Sequence, residues 1–404
     1  MKVKDSVHSG RRRAAVAIAL VGVTSSVLAG CSASPSYSDA VGNVPSLDSM
    51  AQPKIAVTGW RNKPMIDKAV GVMPGAPITV TAAEGSLSSV VVTGPNGPVP
   101  GTTSADGSRW VSNQSLDFGA NYTLTAAAQG IEGDGARKIG FTTASADSLA
   151  DASTITNDGE TVGIGQPVAI NFDSPVANKI NAQNAISVTT DPPVEGAFYW
   201  LNDSMLRWRP EHFWQPGTKV HFAVKTKGID LGDGVYGAND LTSGFTVGRS
   251  LIAVADDKTH QITVSIDGKV VRTMPTSMGK DSSPTNNGIY IVAERVPTVV
   301  MDSSTYGVPV SSPGGYKETV YDDTRISFSG IYIHAAPWSL GDQGYDDVSN
   351  GCMNVSPDNA LWFMNTALRG DIVMAKNTVG PVLPGDDGLG DWNVPWAVWK
   401  KGNA

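Results

Sequence analysis

From Pro53 onward the chain is a succession of short runs in which apolar and polar residues alternate, broken at close intervals by Gly, Pro, Asn or Asp. Alternation with a period of two places every second side chain on one face of a strand, so such runs predict half-buried β-strands. In the first stretch, residues 78–81, 89–93, 121–125 and 138–142 predict strands, with Pro95-Asn96-Gly97 as a hairpin turn. In the second, the strands fall at 168–172, 186–189, 197–200, 206–209 and 220–224. Gly140-Phe141 and Gly244-Phe245 close the two stretches in the same way, which points to a tandem pair of β-sandwiches at 53–146 and 147–248.

Beyond Arg249 the pattern stays β-rich. Residues 250–254, 260–266 and 269–273 form a meander around the turn Asp267-Gly268, and 298–301 and 330–334 form later strands. Between those two lies residue stretch 303–321, rich in Ser, Gly and Pro, which reads as a long loop of the lid type. One helix is predicted, over 358–369, from the N-cap Ser356, the first-turn Pro357 and the stop at Gly370. This third unit spans 249–376, and 377–404 forms a short extension. Apolar residues at 41%, charged residues at 17%, 44 Gly and 25 Pro suit packed β modules rather than a disordered chain.

The first thirty residues differ in kind. Lys2, Lys4 and Arg11-Arg12-Arg13 precede an apolar stretch ending in Leu28-Ala29-Gly30-Cys31, the pattern of an export signal. The last four residues resemble the bacterial lipobox, in which Cys31 becomes the lipidated N-terminus. An uncleaved anchor helix or an ordinary signal are the other readings, and either Sec or twin-arginine export is compatible. Residues 31–52 are small and polar with no apolar period, as in a flexible tether. An acylated Cys31 would hold the protein on the outer face of the plasma membrane, in the cell-wall space. The net charge of −8 argues against nucleic acid as a partner.

Only two cysteines occur. If Cys31 carries lipid, Cys352 has no partner for a disulfide, and it is either a small core residue or a nucleophile. A nucleophilic thiol needs a base within reach, and His334 lies at the end of a predicted strand. His8, His212, His221 and His260 stand in no comparable setting. Gly351 allows a tight turn in which the amides of Asn350, Gly351 and Cys352 converge on a developing oxyanion. No cluster with metal-ligand spacing is visible in the sequence, so neither a metal nor another cofactor is expected.

The segment from His334-Ala335 through Trp338 to Ser349-Asn350-Gly351-Cys352-Met353-Asn354 resembles the signature of the L,D-transpeptidase family, of YkuD type. Ser277-Met278-Gly279-Lys280, Met301 through Tyr306, and Asp391-Trp392 through Trp396 resemble its mycobacterial members, in particular a lipoprotein paralogue. The resemblance implies two immunoglobulin-like domains, a β-rich catalytic domain with one helix after the nucleophile, and a C-terminal extension that packs on it. It implies cross-linking of peptidoglycan stems, with a tetrapeptide donor, a diaminopimelate amine as acceptor, Cys352 as nucleophile, His334 as proton carrier and carbapenems as inhibitors. Tyr316 and Trp338 would border the donor cleft, Met301, Tyr306 and Ser329 would lie on or under the lid, and Asn354 would contact substrate. Two residues depart from the pattern: Asn350 replaces a second histidine, and Ala335 replaces a serine beside the base. An L,D-carboxypeptidase on the same site and a non-catalytic wall-binding protein remain the alternative functions.

Overall fold

The computed structural model describes residues 52–404, except Glu132 and the side chain of Tyr306. The export signal, Cys31 and all but the last residue of the tether lie outside the described residues. No helix among the described residues is long and apolar enough to cross a membrane.

The first module stacks two sheets. Lys54–Thr58, Thr79–Ala83, Arg109–Ser112 and Gly101–Thr103 form one, and Ala69–Val72, Gly133–Thr143, Asn121–Gly130, Ser86–Gly94 and Gly97–Val99 the other, in those orders. Alternation is visible in Asn121–Gly130, where Tyr122, Leu124, Ala126 and Ala128 point inward. The hairpin is where the turn residues place it: Gly94 pairs with Gly97 across Pro95 and Asn96. The second module repeats the plan with Ala152–Thr154, Val168–Phe172, Met205–Pro210 and Gly196–Trp200 in one sheet and Glu160–Val162, Asp240–Val247, Lys219–Lys225 and Ile186–Asp191 in the other. The shared Gly-Phe endings are structurally equivalent. Phe141 and Phe245 are both buried, each on a strand paired in parallel with a short early strand of its own module, Ala69–Val72 and Glu160–Val162.

The third unit contains a five-stranded sheet, ordered Lys269–Pro275, Gln261–Ile266, Leu251–Asp256, Ile372–Lys376, Gly288–Ile291. Against it stands a four-stranded sheet of Glu294–Asp302, Lys317–Arg325, Tyr332–Ala335 and Met353–Val355. Ile262, Val264, Tyr290, Ile333, Met353, Val355 and Phe363 fill the core of this unit. Two expectations need correcting. The strand Lys317–Arg325 takes the last part of the expected loop; its sequence, KETVYDDTR, carries too few apolar residues to reveal a strand. The helix runs over Pro357–Thr366, shorter than expected, with Ser356 as N-cap. It stops early because Arg249 donates to the Thr366 carbonyl while Asp371 both pairs with Arg249 at 2.8 Å and accepts from the Leu368 amide at 2.7 Å. Those charge-assisted bonds replace the next helical turn.

The modules are joined by close backbone contact and by the tail. A Cβ on Gly163 would lie 2.3 Å from the Asp371 amide nitrogen, so only glycine lets the second sandwich approach the third unit here. Arg369 reaches back to Glu160 at 3.2 Å. In the tail, Trp399 is fully buried and its indole donates to the Ala197 carbonyl, while that of Trp392 donates to Gly165. Between those two rings lies the Arg209 guanidinium, 4.5 and 4.2 Å from their centroids.

Candidate active site

One parallel ladder places both reactive groups. Ile333 lies opposite Met353, His334 opposite Asn354 and Ala335 opposite Val355. Ile333, Ala335, Met353 and Val355 belong to the hydrophobic core. The pleat therefore turns His334 and Asn354 to the other face, and Cys352, two residues before Asn354, shares it. Cys352 and His334 line one open cavity of about 220 Å³.

His334 is 3% exposed, and its Nδ1 lies 3.0 Å from the Ala335 carbonyl oxygen. A carbonyl only accepts, so Nδ1 carries the proton and Nε2 is left with a free lone pair. The bond uses the backbone of residue 335, so alanine there serves as well as serine. Burial lowers the imidazole pKa, partly opposed by that carbonyl, and the ring is neutral at pH 7. Trp338, more than half exposed, lies 6.0 Å from the imidazole between ring centroids.

Burial pushes the Cys352 thiol up to about 12. Its Sγ is hydrogen-bonded to the Gly330 carbonyl at 3.6 Å, and no bond joins it to His334. The resting pair is thus a neutral thiol and a neutral imidazole, and proton transfer must accompany attack on substrate. Asp323 adds to this. It occupies a bulge in Lys317–Arg325 opposite His334, is fully buried, and has no well-formed hydrogen bond on either carboxyl oxygen. Burial raises its own pKa to about 7, the neighbouring Asp322 contributing, and its negative charge raises that of the thiol further.

The loop before Cys352 is fastened on both sides. Ser349 Oγ donates to the Cys352 carbonyl at 2.6 Å and accepts from the Gly351 amide at 3.0 Å. Of the three amides expected around an oxyanion, Gly351's is therefore already engaged; those of Asn350 and Cys352 make no such bond. Gly351 has φ +121° with open space where a Cβ would stand, so its requirement is conformational. Ser283 Oγ donates to the Asn350 carbonyl at 3.0 Å and Thr285 Oγ1 to that of Gly351 at 2.8 Å. Met278 exchanges backbone bonds with this loop, donating to the Asp347 carboxylate and accepting from Ser349. The segment 277–285 is the scaffold of the nucleophile loop, a task its sequence alone does not disclose.

Of the other expected site residues, Met301, Tyr316, Trp338, Asn350 and Asn354 line the cavity. Asn354 is buried, and its amide donates to Ser339 Oγ at 3.2 Å. Tyr306 ends a short 3-10 turn, Ser303–Tyr306, and its side chain is not among the described ones. Ser329 is exposed and not among the lining residues, its amide held by the Asp387 carboxylate at 2.9 Å, next to the Gly330 carbonyl that receives the thiol. Glu318, Val320 and Val348 line the cavity without having been read from sequence. For Glu318 and Val320 the only signal was their alternation with Tyr316, and Val348 had none beyond its place before Ser349.

The fold also assembles a group that the sequence spacing hid. Donor atoms of Asp257, His260 and Asp347 all lie within 4.8 Å of one another. His260 Nδ1 is 3.4 Å from Asp347, and the hydrogen bond and repulsion from Asp347 add to burial in raising Asp257 to about 7. This acid–histidine network connects the turn after Leu251–Asp256 to the nucleophile loop.

A cysteine and a tautomer-fixed histidine on one face of a ladder, lining one cavity, have the arrangement that thiol-dependent acyl transfer requires. The bacterial Ig domain profile matches residues 69–230, and that of the L,D-transpeptidase catalytic domain matches residues 250–375. L,D-transpeptidase 2 of Mycobacterium tuberculosis is 54% identical over 339 residues, 84% of this chain and 83% of that protein. L,D-transpeptidase 5 of the same organism is 35% identical over 349 residues, 84% of this chain and 75% of that protein. A solved LD transpeptidase in complex with imipenem is 38% identical, covering 55% of this chain and 97% of its own, with a TM-score of 0.49. The chain belongs to the L,D-transpeptidase family.

Proposed function

We propose that this enzyme forms three-to-three cross-links between peptidoglycan stems through a thioester on Cys352. The observation that carries the reading is the common face of Cys352 and His334, with Nδ1 held by Ala335 so that Nε2 is free to take a proton. As Cys352 Sγ attacks the carbonyl of the third stem residue, its proton passes to His334 Nε2. The tetrahedral oxyanion is met by the amides of Asn350 and Cys352, that of Gly351 being held by Ser349. It collapses with cleavage of the bond to D-alanine, whose amine leaves with the proton from His334. The side-chain amine of diaminopimelate on a second stem then attacks the thioester carbonyl and gives its proton to Nε2. Cys352 leaves as thiolate and is reprotonated by His334. A carbapenem enters the same first step, and ring opening leaves it bound to Cys352.

The test is to incubate the purified protein with a disaccharide-tetrapeptide and resolve the muropeptides. Dimer together with free D-alanine is the expected result. Tripeptide monomer without dimer would instead establish an L,D-carboxypeptidase.

The sequence Leu28-Ala29-Gly30-Cys31 further supports attachment through lipid at Cys31 to the outer face of the plasma membrane. Full-length protein is expected in the detergent phase on phase partition, and its Cys31→Ala form in the aqueous phase. Equal partition of the two would remove the anchor from this reading.

A further inference from the structure

Among the side chains lining the reactive cavity, Glu318 is the only one with a formal charge at neutral pH. His334 is neutral because burial lowers its pKa, and the Cys352 thiol is protonated because burial raises its own. Glu318 lies on Lys317–Arg325 directly across from Met301, and the pleat of that strand puts it on the face of Tyr316 and Val320, which also line the cavity. The preceding residue, Lys317, points the other way and is occupied by Asp302 at 2.8 Å. The Glu318 side chain is exposed and makes no hydrogen bond or ion pair among the described residues.

An unpaired carboxylate in a small, otherwise uncharged cleft favours cations and disfavours anions among the ligands that enter. Solvent screens part of that preference because Glu318 is exposed, and its place in the lining is what keeps the charge close to whatever occupies the space. The ligand must also reach Cys352, because the same cavity contains both groups. The geometry points to Glu318 as a specificity-determining residue that takes the ammonium group of the acyl donor. Resting on the proposed reaction, that ammonium is the side-chain amine of the donor's own diaminopimelate, the residue whose carbonyl Cys352 attacks. Glu318 contributes to binding and takes no part in proton transfer.

The experiment compares single-turnover D-alanine release, which depends on the donor alone, from disaccharide-tetrapeptide and from the same donor acetylated on its diaminopimelate amine. Wild-type enzyme is expected to lose roughly tenfold in kcat/KM on acetylation, mostly through KM. Glu318→Gln should lose a similar factor on the unmodified donor and be indifferent to acetylation. The same variant should react about two- to threefold faster with faropenem, an anionic β-lactam without an amine, because a repulsion has been removed. Three outcomes would overturn the assignment: equal loss on both donors, an unchanged KM for the unmodified donor, or a defect confined to the later transfer to an acceptor amine. Release of D-alanine that ignores Glu318 would refute this inference alone. No release by wild-type enzyme from either donor would refute the parent reaction with it.

Discussion

Cys352→Ala is expected to abolish both D-alanine release and formation of a carbapenem adduct, with a loss of turnover of at least about a thousandfold. The reason is chemical. The only thiol among the described residues lies in the open cavity, and the one aliphatic hydroxyl in its lining, Ser349's, is engaged with the Cys352 carbonyl and the Gly351 amide. Intact mass before and after carbapenem treatment reads the adduct directly, and a residual adduct in the alanine form would sink the assignment. His334→Ala should reduce acylation by about a hundredfold to ten-thousandfold while leaving the thiol in place. Its pH profile separates a base from a packing role. Because burial depresses the His334 pKa, the acid limb of the acylation rate should fall below the ordinary histidine value of about 6.5. Activity is then full above that limb and lost as pH falls through it. The limb should vanish in the variant; its persistence would assign the titration to another group.

The second large effect is on stability. Asp391→Ala is expected to cost roughly 3–5 kcal/mol, because it leaves a buried guanidinium without its counter-charge. Arg207 and Asp391 are both fully buried, 3.8 Å apart at Nε and Oδ1, at the join between the second sandwich and the tail. Arg207 has one good side-chain partner, Asn171 Oδ1 at 3.0 Å, whereas its Nε and Nη2 and both Asp391 carboxyl oxygens have none. Burial pushes the Asp391 carboxyl up, opposed by the pull of Arg207. With hydrogen bonds so sparse, the attraction offsets little of the desolvation cost, and a paired apolar replacement, Arg207→Met with Asp391→Leu, should come close to wild type. Urea unfolding followed by tryptophan fluorescence measures this, since Trp392 and Trp399 flank the neighbouring Arg209. A single variant as stable as wild type would show that water reaches Arg207 once Asp391 is gone.

How much of this was legible in the sequence depends on whether the deciding interaction is local. The strand Asn121–Gly130 and the hairpin at Gly94 and Gly97 follow from alternation and turn chemistry, so they could be read directly. The structure also brings Cys352 and His334, singled out as a thiol after glycine and a histidine ending an apolar strand, to one cavity. Lys317–Arg325 was missed because its pairing with Glu294–Asp302, not its own apolar content, makes it a strand. The early end of the helix depends on Arg249, more than a hundred residues away, and no local signal marks it. Likewise Asp257 and Asp347 come together only when the meander and the nucleophile loop meet. The engagement of the Gly351 amide by Ser349 was hidden for another reason: the residues are adjacent in the motif, but only the folded turn decides which amide the hydroxyl takes.

The two-strand ladder that fixes Cys352 relative to His334 also makes their separation independent of the chain that connects them. Residues 336–352 leave the end of one strand and return beside it, so the catalytic distance is set by register, like the spacing of teeth on a rack, and not by the length of the connection. Around Leu340 and Tyr345 that connection is largely exposed. Its composition can drift, and with it the rim presented to large wall polymers, while the reacting atoms keep their alignment. An architecture of this kind lets paralogues diverge in what they accept without having to rebuild how they react.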